Sequence, residues 1–170
     1  MAQLRQWIRR KRFTVLVVAA VVLLAAGAIH AETAWRYAMD RTISSCDAVQ
    51  SDINRALQLQ GKDRREQLEW VASIDVNGLG ALCDQGSIHL SAKRYGELRA
   101  VPAKLSEQIP VCNDTELTQI SGTCLEAGLL LQDVRDGGFV DSLLDHFDPA
   151  HCRFCEAIDL LVFAGEIGSA

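Results

Sequence analysis

The chain has 170 residues, of which 49% are hydrophobic and 23% charged, and its formal net charge is −5. This balance is typical of a globular protein and excludes a disordered chain, while three prolines and twelve glycines exclude a collagen-like composition. The charge is unevenly distributed, because residues 107–170 carry two basic and twelve acidic residues. An acidic surface repels phosphate, so we expect no binding of nucleic acid by the C-terminal third.

An uncharged apolar run occupies residues 13–29. A helix that spans a bilayer needs roughly 17–25 such residues, whereas the apolar part of a cleaved signal peptide is shorter, roughly 7–15 residues. Trp7 and Trp35 flank the run and would lie about 42 Å apart on a continuous helix, close to the full thickness of a bilayer. We therefore favour an uncleaved anchor over residues 13–30. The alternative is cleavage after Ala28, or at a weaker site after Ala31, which would release a secreted soluble helical protein.

The orientation of this anchor follows from the basic residues. The apolar run contains no basic residue. Five basic residues precede it: Arg5, Arg9, Arg10, Lys11 and Arg12. Basic flanks stay on the cytoplasmic side of a membrane. The sequence therefore predicts a cytoplasmic tail over residues 1–12 and an extracytoplasmic domain over residues 31–170. A short, arginine-rich N-terminus is typical of bacterial export, so we expect a single-pass protein of the inner membrane with a periplasmic domain.

The periodicity of apolar residues in the exported part is helical almost throughout. One stripe recurs in steps of three and four: Trp35, Met39, Ile43, Cys46, Val49, Ile53 and Leu57. A second stripe joins Leu117, Ile120, Cys124, Gly128 and Leu131. No convincing strand is present, and the short candidates cover residues 87–90 and 160–163. The fold class is therefore predicted to be all-α, with one transmembrane helix followed by a compact bundle of five to six helices.

Capping and breaking residues predict the helix ends. Gly61 is expected to end the first helix, Ser121-Gly122-Thr123 is a candidate break, and Asp136-Gly137-Gly138 is predicted to form a turn. Three helix starts are predicted, from Asp63 with Glu66, from Asn113 with Glu116, and from Asp148 with Pro149. Leu68, Val71 and Ile74 are expected to face the core from the second helix, and Trp70 is also expected to be a core residue.

All six cysteines follow the apolar run: Cys46, Cys83, Cys112, Cys124, Cys152 and Cys155. An even number of cysteines in an exported domain favours disulfides over free thiols, although six cysteines allow 15 pairings. We expect bonds between different helices, with Cys46 joined to Cys83. A Cys112–Cys124 bond would need a break in the helix that carries Cys124, since three turns of helix separate the two positions.

The motif Cys152-Arg153-Phe154-Cys155 is the one that suggests chemistry. A C-x-x-C at a helix N-terminus lowers the pKa of its first thiol, and His151 could act beside it as a base. The candidate catalytic residues are therefore Cys152, Cys155 and His151. No strand precedes the motif, so a structural disulfide is the favoured interpretation and a redox dithiol the alternative. A metal site is not expected, because no second C-x-x-C is present and His146 and His151 directly adjoin the first. We expect no cofactor.

The leading functional hypothesis is not enzymatic, because the sequence contains no nucleophile elbow, no phosphate-binding glycine loop and no H-E-x-x-H motif. We expect a membrane-anchored extracytoplasmic interaction or assembly module of a bacterial inner-membrane complex, stabilised by disulfides. Its partners would be the membrane and other proteins, but not nucleic acid. The alternative from another class is a membrane-tethered thiol–disulfide oxidoreductase that uses Cys152 and Cys155.

Overall fold

The computed structural model of the chain describes residues 2–84, 90–145 and 152–168, and the side chains of residues 14–84, 90–137 and 152–168. The described elements are all helical. Six α-helices are α1 (Ala2–Ala56), α2 (Gly61–Ser73), α3 (Ala81–Asp84), α4 (Ala92–Gln108), α5 (Asp114–Asp145) and α6 (Arg153–Ala164), with a 3-10 turn at Asp75–Gly78 between α2 and α3. The prediction of an all-α protein is confirmed for this part of the chain, where α1 is followed by five further α-helices.

The chain divides into two compact units, Met1–Ala34 and Trp35–Ala170. The second unit contains the other helices and is also called the helical unit below. In the first unit every side chain from residue 14 to residue 31 is exposed, including the apolar Leu23 and Leu24, which are 72% and 73% exposed. Within α1, an 18-residue window reaches a mean hydropathy of 2.4, and none of it is buried. By length and composition this is the one described helix that is able to cross a membrane, a property that a signal sequence shares.

The core of the second unit contains the two predicted apolar stripes. All of the first stripe on α1 is buried except Leu57, which is partly buried, and all five residues of the α5 stripe are buried. α1 and α5 are antiparallel here, because positions that rise along α5 contact positions that fall along α1. Ser121 Oγ donates a hydrogen bond to the Gln50 carbonyl at 3.3 Å, and Arg135 Nη1 lies 2.9 Å from Asp40 Oδ1.

Several predicted helix breaks do not occur. α5 is continuous through Ser121-Gly122-Thr123 and through Asp136-Gly137-Gly138, so the break that a Cys112–Cys124 bond would need is absent. Ser121 and Thr123 are buried against the rest of the unit. Buried contacts along this face stabilise the helix enough to outweigh the low helix propensity of these residues.

The ends of α2 also differ from the prediction. α1 ends at Ala56, and Gly61 does not end a helix but begins α2 with a positive φ of 60°, a conformation that favours glycine. The N-cap of α2 is Gln60 without a side-chain hydrogen bond, so the predicted cap at Asp63 is wrong. α2 buries Leu68, Val71 and Ala72.

Two other expectations about buried residues and strands are corrected. Ile74 is 50% exposed and Trp70 is 53% exposed, so neither is a core residue, because α2 turns its opposite face to the core. Residues 160–163 lie within α6, so the second strand candidate is helical. Residues 87–89 of the first candidate, like the Asp148-Pro149 cap, lie outside the described residues.

Candidate functional site

The C-x-x-C motif lies at the N-terminus of α6. Cys152 is the N-cap residue, and its Sγ accepts a hydrogen bond from the Cys155 backbone N–H at 3.2 Å. Cys152 and Cys155 are joined by a disulfide, with their Cα atoms 5.2 Å apart. α6 forms here because Phe154, Ile158 and Leu161 present one apolar face to the core. A cysteine sulfur thus caps α6.

The two sulfur-bearing residues differ in exposure. Cys152 is buried, with 5% of its surface exposed, whereas Cys155 is partly exposed. In a dithiol oxidoreductase the attacked sulfur must be reachable by another thiolate. The expected order of roles, with an accessible Cys152, is therefore not what the structure has. The structural interpretation expects both cysteines to be buried, and the structure shows this for Cys152 but not for Cys155.

A cleft of about 160 Å³ adjoins the disulfide on its Cys155 side. Its apolar walls are Leu90, Phe154 and Ile158, all from the helical unit. Arg94 and Asp159 form an ion pair at its polar edge, with Nη2 and Oδ1 2.6 Å apart. Arg94 also pairs with Glu97 at 3.0 Å, so its charge is shared between two carboxylates. A cleft with this lining fits an apolar side chain rather than a charged group.

The structure brings together two of the three candidate catalytic residues, Cys152 and Cys155. His151 lies outside the described residues, as does His146. Among the described residues no group of three or more histidine, cysteine or acidic side chains is placed to hold a metal ion. Arg153, which lies within the motif, pairs with Asp133 at 3.1 Å.

The other four cysteines are free thiols. The structure does not join Cys46 to Cys83: Cys83 Sγ instead donates to the Tyr95 carbonyl at 3.5 Å, and burial raises its pKa to about 11. The pKa of Cys112 is also raised to about 11, first by burial and then by Glu116. Both thiols are therefore protonated and weakly nucleophilic at neutral pH.

Cys46 lies beside Cys124, a contact that the spacing of the cysteines does not indicate. Both side chains are completely buried between α1 and α5. The pKa of Cys46 is raised well above its ordinary value, first by hydrogen bonding with the Cys124 side chain and then by burial. The signal that could have found this pair is the antiparallel alignment of the two predicted stripes, which the sequence alone does not fix.

The structure also shows a contact between two carboxyl groups that the sequence did not predict. Asp75, in the 3-10 turn, has its pKa raised to about 6, first by desolvation and then by hydrogen bonding with Asp52 of α1. The Trp70 side chain acts in the opposite direction by hydrogen bonding to the Asp75 carboxylate. Two carboxyl groups in contact are more stable when one of them is protonated than when both are ionised, because two negative charges repel each other. Nothing in the spacing of these residues indicates the contact.

Comparison with known proteins adds nothing to this geometry, since no family model, curated protein or solved structure matches the chain.

Proposed function

We propose that the protein is a single-pass membrane protein that holds its helical unit outside the cytoplasm, in a bacterial inner membrane, as an interaction or assembly module. The observation that carries the proposal is the fully exposed apolar segment of α1 over residues 14–31. Exposure of this much apolar surface to water is unfavourable, whereas a bilayer covers it. The basic residues before the segment support a cytoplasmic N-terminus.

The interaction role draws support from apolar surface on the second unit. Trp70 and Ile74 lie one turn apart on and just after α2, and each is about half exposed. Large apolar side chains grouped on a surface are typical of protein interaction sites, and tryptophan is enriched at the centres of interfaces. The partner is proposed to be a protein of the same membrane that presents an apolar surface.

Membrane retention and assembly test this proposal together. The chain should stay with membranes after a carbonate wash at high pH, and it should keep residues 1–28. After mild solubilisation, it should migrate in native electrophoresis at a mass above that of a single chain of 18.6 kDa with its bound detergent. Trp70→Glu with Ile74→Glu should return it to the size of the single chain. The control is Val111→Glu, since Val111 is 82% exposed and lies outside the helices.

Two results would contradict the proposal. A mature N-terminus at Ile29 or Glu32 would favour the secreted alternative. Native migration of the wild-type chain as a single copy would remove the assembly role while leaving the anchor intact.

A second candidate function rests on the cleft beside Cys155. In this thiol–disulfide oxidoreductase, a substrate thiolate would attack Cys155 Sγ and break the disulfide, and Cys152 Sγ would leave as a thiolate that keeps the Cys155 N–H hydrogen bond. A second substrate thiolate would then attack the substrate sulfur of the mixed disulfide and release Cys155. The substrate becomes a disulfide, and the protein gains the two electrons.

Alkylation of the mildly reduced protein distinguishes the two functions. In a structural pair, the Cys152 thiol should react slowly at neutral pH, because it is buried. A thiolate that titrates well below pH 8.5, with insulin-reducing activity that is lost in Cys155→Ser and kept in Cys83→Ser, would favour the oxidoreductase.

A further inference from the structure

The contact between α1 and α5 brings two cysteines to one buried face. Ser121, Cys124 and Gly128 follow each other in steps of three and four on α5, so they share one side of the helix. Ser121 Oγ bonds to the carbonyl of Gln50, and Gly128 lies against Cys46. On α5, Cys124 lies between Ser121 and Gly128, the two residues that make these contacts. Their partners on α1, Gln50 and Cys46, are one helical turn apart. The two cysteines therefore face each other across the interface.

The two helices approach closely at this point. A Cβ atom placed on Gly128 would lie 3.3 Å from Cys46 Cβ, a tight contact, so the absence of a side chain at position 128 favours the close approach. Helix axes ordinarily pack 8–10 Å apart, whereas a disulfide needs Cα atoms about 4.4–6.8 Å apart. A glycine one turn from Cys124 reduces the separation at the place where a bond between the helices would need it.

The environment of the two thiols fits a bond that is formed once and then kept. Both cysteines have no exposed surface, and mutual hydrogen bonding and burial hold Cys46 in its protonated form. A buried thiol exchanges slowly with any disulfide in solution, so oxidation must precede the closure of the interface or accompany its transient opening. Once formed, the bond would be protected from reduction in the same way.

We propose that Cys46 and Cys124 are a second disulfide site, which links α1 to α5 when the chain folds in the presence of a disulfide oxidant such as oxidised glutathione. The thiolate of one cysteine attacks the oxidant, forming a mixed disulfide and releasing one reduced thiol. The other cysteine attacks the protein sulfur of that bond and releases the second. Two electrons and the two thiol protons pass to the oxidant, which leaves as two thiols.

The site goes beyond the proposed function and depends on it only for the compartment in which an oxidant is available. The bond would join two elements within the second unit, α5 and the part of α1 that follows Ala34. The pairing replaces the expected Cys46–Cys83 bond, and it needs no break in α5.

A peptide map of the purified full-length protein tests the pairing. The detergent-solubilised chain is refolded in glutathione buffers with and without the oxidised form, alkylated, and digested with trypsin and a glutamate-specific protease. Cleavage after Arg41, Arg55, Glu116 and Glu126 isolates Cys46 in residues 42–55 and Cys124 in residues 117–126. Cys112 falls in a different peptide, residues 108–116. We expect these two cysteine peptides, 42–55 and 117–126, to be linked only after oxidative refolding.

Thermal unfolding gives an independent measurement. Oxidative refolding should raise the Tm of the wild-type chain by roughly 10 °C, since the bond closes a long loop. Cys46→Ala, Cys124→Ala and the double variant should each lose this oxidant-dependent increase, whereas Cys83→Ala should keep it. Cys152 and Cys155 are unchanged in all of these proteins, so any contribution of their bond to the Tm is the same in each.

The proposal is overturned if both thiols are recovered alkylated after oxidative refolding, or if either cysteine is linked to another one. Because the map uses the wild-type chain, it holds even if an alanine variant fails to fold. Neither result bears on the anchor or its orientation, which are measured in membranes.

Discussion

Glycines contribute to the packing against α1 in a way that depends on position. A Cβ atom on Gly78 would lie 2.9 Å from Ser45 Cβ and 3.0 Å from the Arg41 carbonyl oxygen, closer than packed atoms allow. Gly122, in contrast, meets nothing within 4 Å and is exposed on α5. The 3-10 turn can therefore pack against α1 only because position 78 has no side chain.

Alanine at these two positions should have opposite effects. Gly78→Ala should lower the free energy of unfolding by about 1–3 kcal/mol, because the helix or the turn must shift. Gly122→Ala should raise it by about 0.5–1 kcal/mol, since alanine is the better helix former. Denaturant unfolding of both variants measures this. A neutral Gly78→Ala would contradict the close packing of the turn on α1.

The Asp75 carboxyl group makes stability depend on pH. Its pKa in the folded chain is about 6, against an ordinary value of 3.8, so the folded state holds this proton more tightly than the unfolded state. The protonated carboxyl therefore favours folding most at pH below about 4. This contribution is lost as the pH rises to about 6 and does not change further above that value.

Asp75→Asn should remove this contribution. The Tm of the variant should exceed that of the wild type at pH 7.5, and the difference should vanish near pH 4. Asp63→Asn is the control, since Asp63 is exposed on α2 and makes no capping hydrogen bond. A Tm difference that stays constant between pH 4 and pH 7.5 would show that the pKa of Asp75 is not raised.

At the scale of elements, one of two similar capping motifs is used. Asn113 Oδ1 accepts hydrogen bonds from the backbone N–H groups of Thr115 and Glu116, each at 3.0 Å, and Glu116 Oε2 accepts one from the Asn113 N–H at 2.8 Å. This reciprocal capping box begins α5 as predicted. The matching pattern at Asp63 caps nothing, because α2 begins two residues earlier.

The two motifs can be compared directly by substitution. Asn113→Ala should lower the free energy of unfolding by about 1 kcal/mol, the usual value for a lost N-cap. Asp63→Ala should change it by less than about 0.5 kcal/mol, as expected for a surface substitution. Equal losses for both variants, measured by chemical denaturation, would contradict the assigned start of α2.

The sequence predicted elements better than their ends. The apolar stripes of α1 and α5 could be predicted because the residues on the buried face of a helix are apolar and recur with its 3.6-residue period. The false break at Ser121 arises because the burial of Ser121 and Thr123 outweighs their low helix propensity. Nothing in the structure explains why α5 continues through the exposed Gly137. For the candidate site, the sequence predicted the C-x-x-C at a helix start. It did not predict the Cys152 cap, because cysteine is not among the usual N-cap residues. It did not predict the Cys46–Cys124 contact, because that contact depends on how two distant helices meet.

At the scale of the whole molecule, the two units have different surfaces. The described side chains of the first unit between residues 14 and 31 are all exposed and mostly apolar, whereas the second unit buries a continuous core. A water-soluble protein of this size does not expose an apolar segment of such length. The proposed anchor explains the first unit, and the charge of the N-terminal tail supports the direction of insertion.

The orientation of the anchor is tested most directly by alkaline phosphatase fused after Ala170, an enzyme that is active only outside the cytoplasm. Activity is assayed in membranes that have been washed with carbonate, beside a control fusion that lacks residues 1–34. We predict that the full-length fusion is active in the washed membranes and that the control is inactive. Full-length fusion protein without activity, or activity found only in the soluble fraction, would contradict an anchor that holds the helical unit outside the cytoplasm.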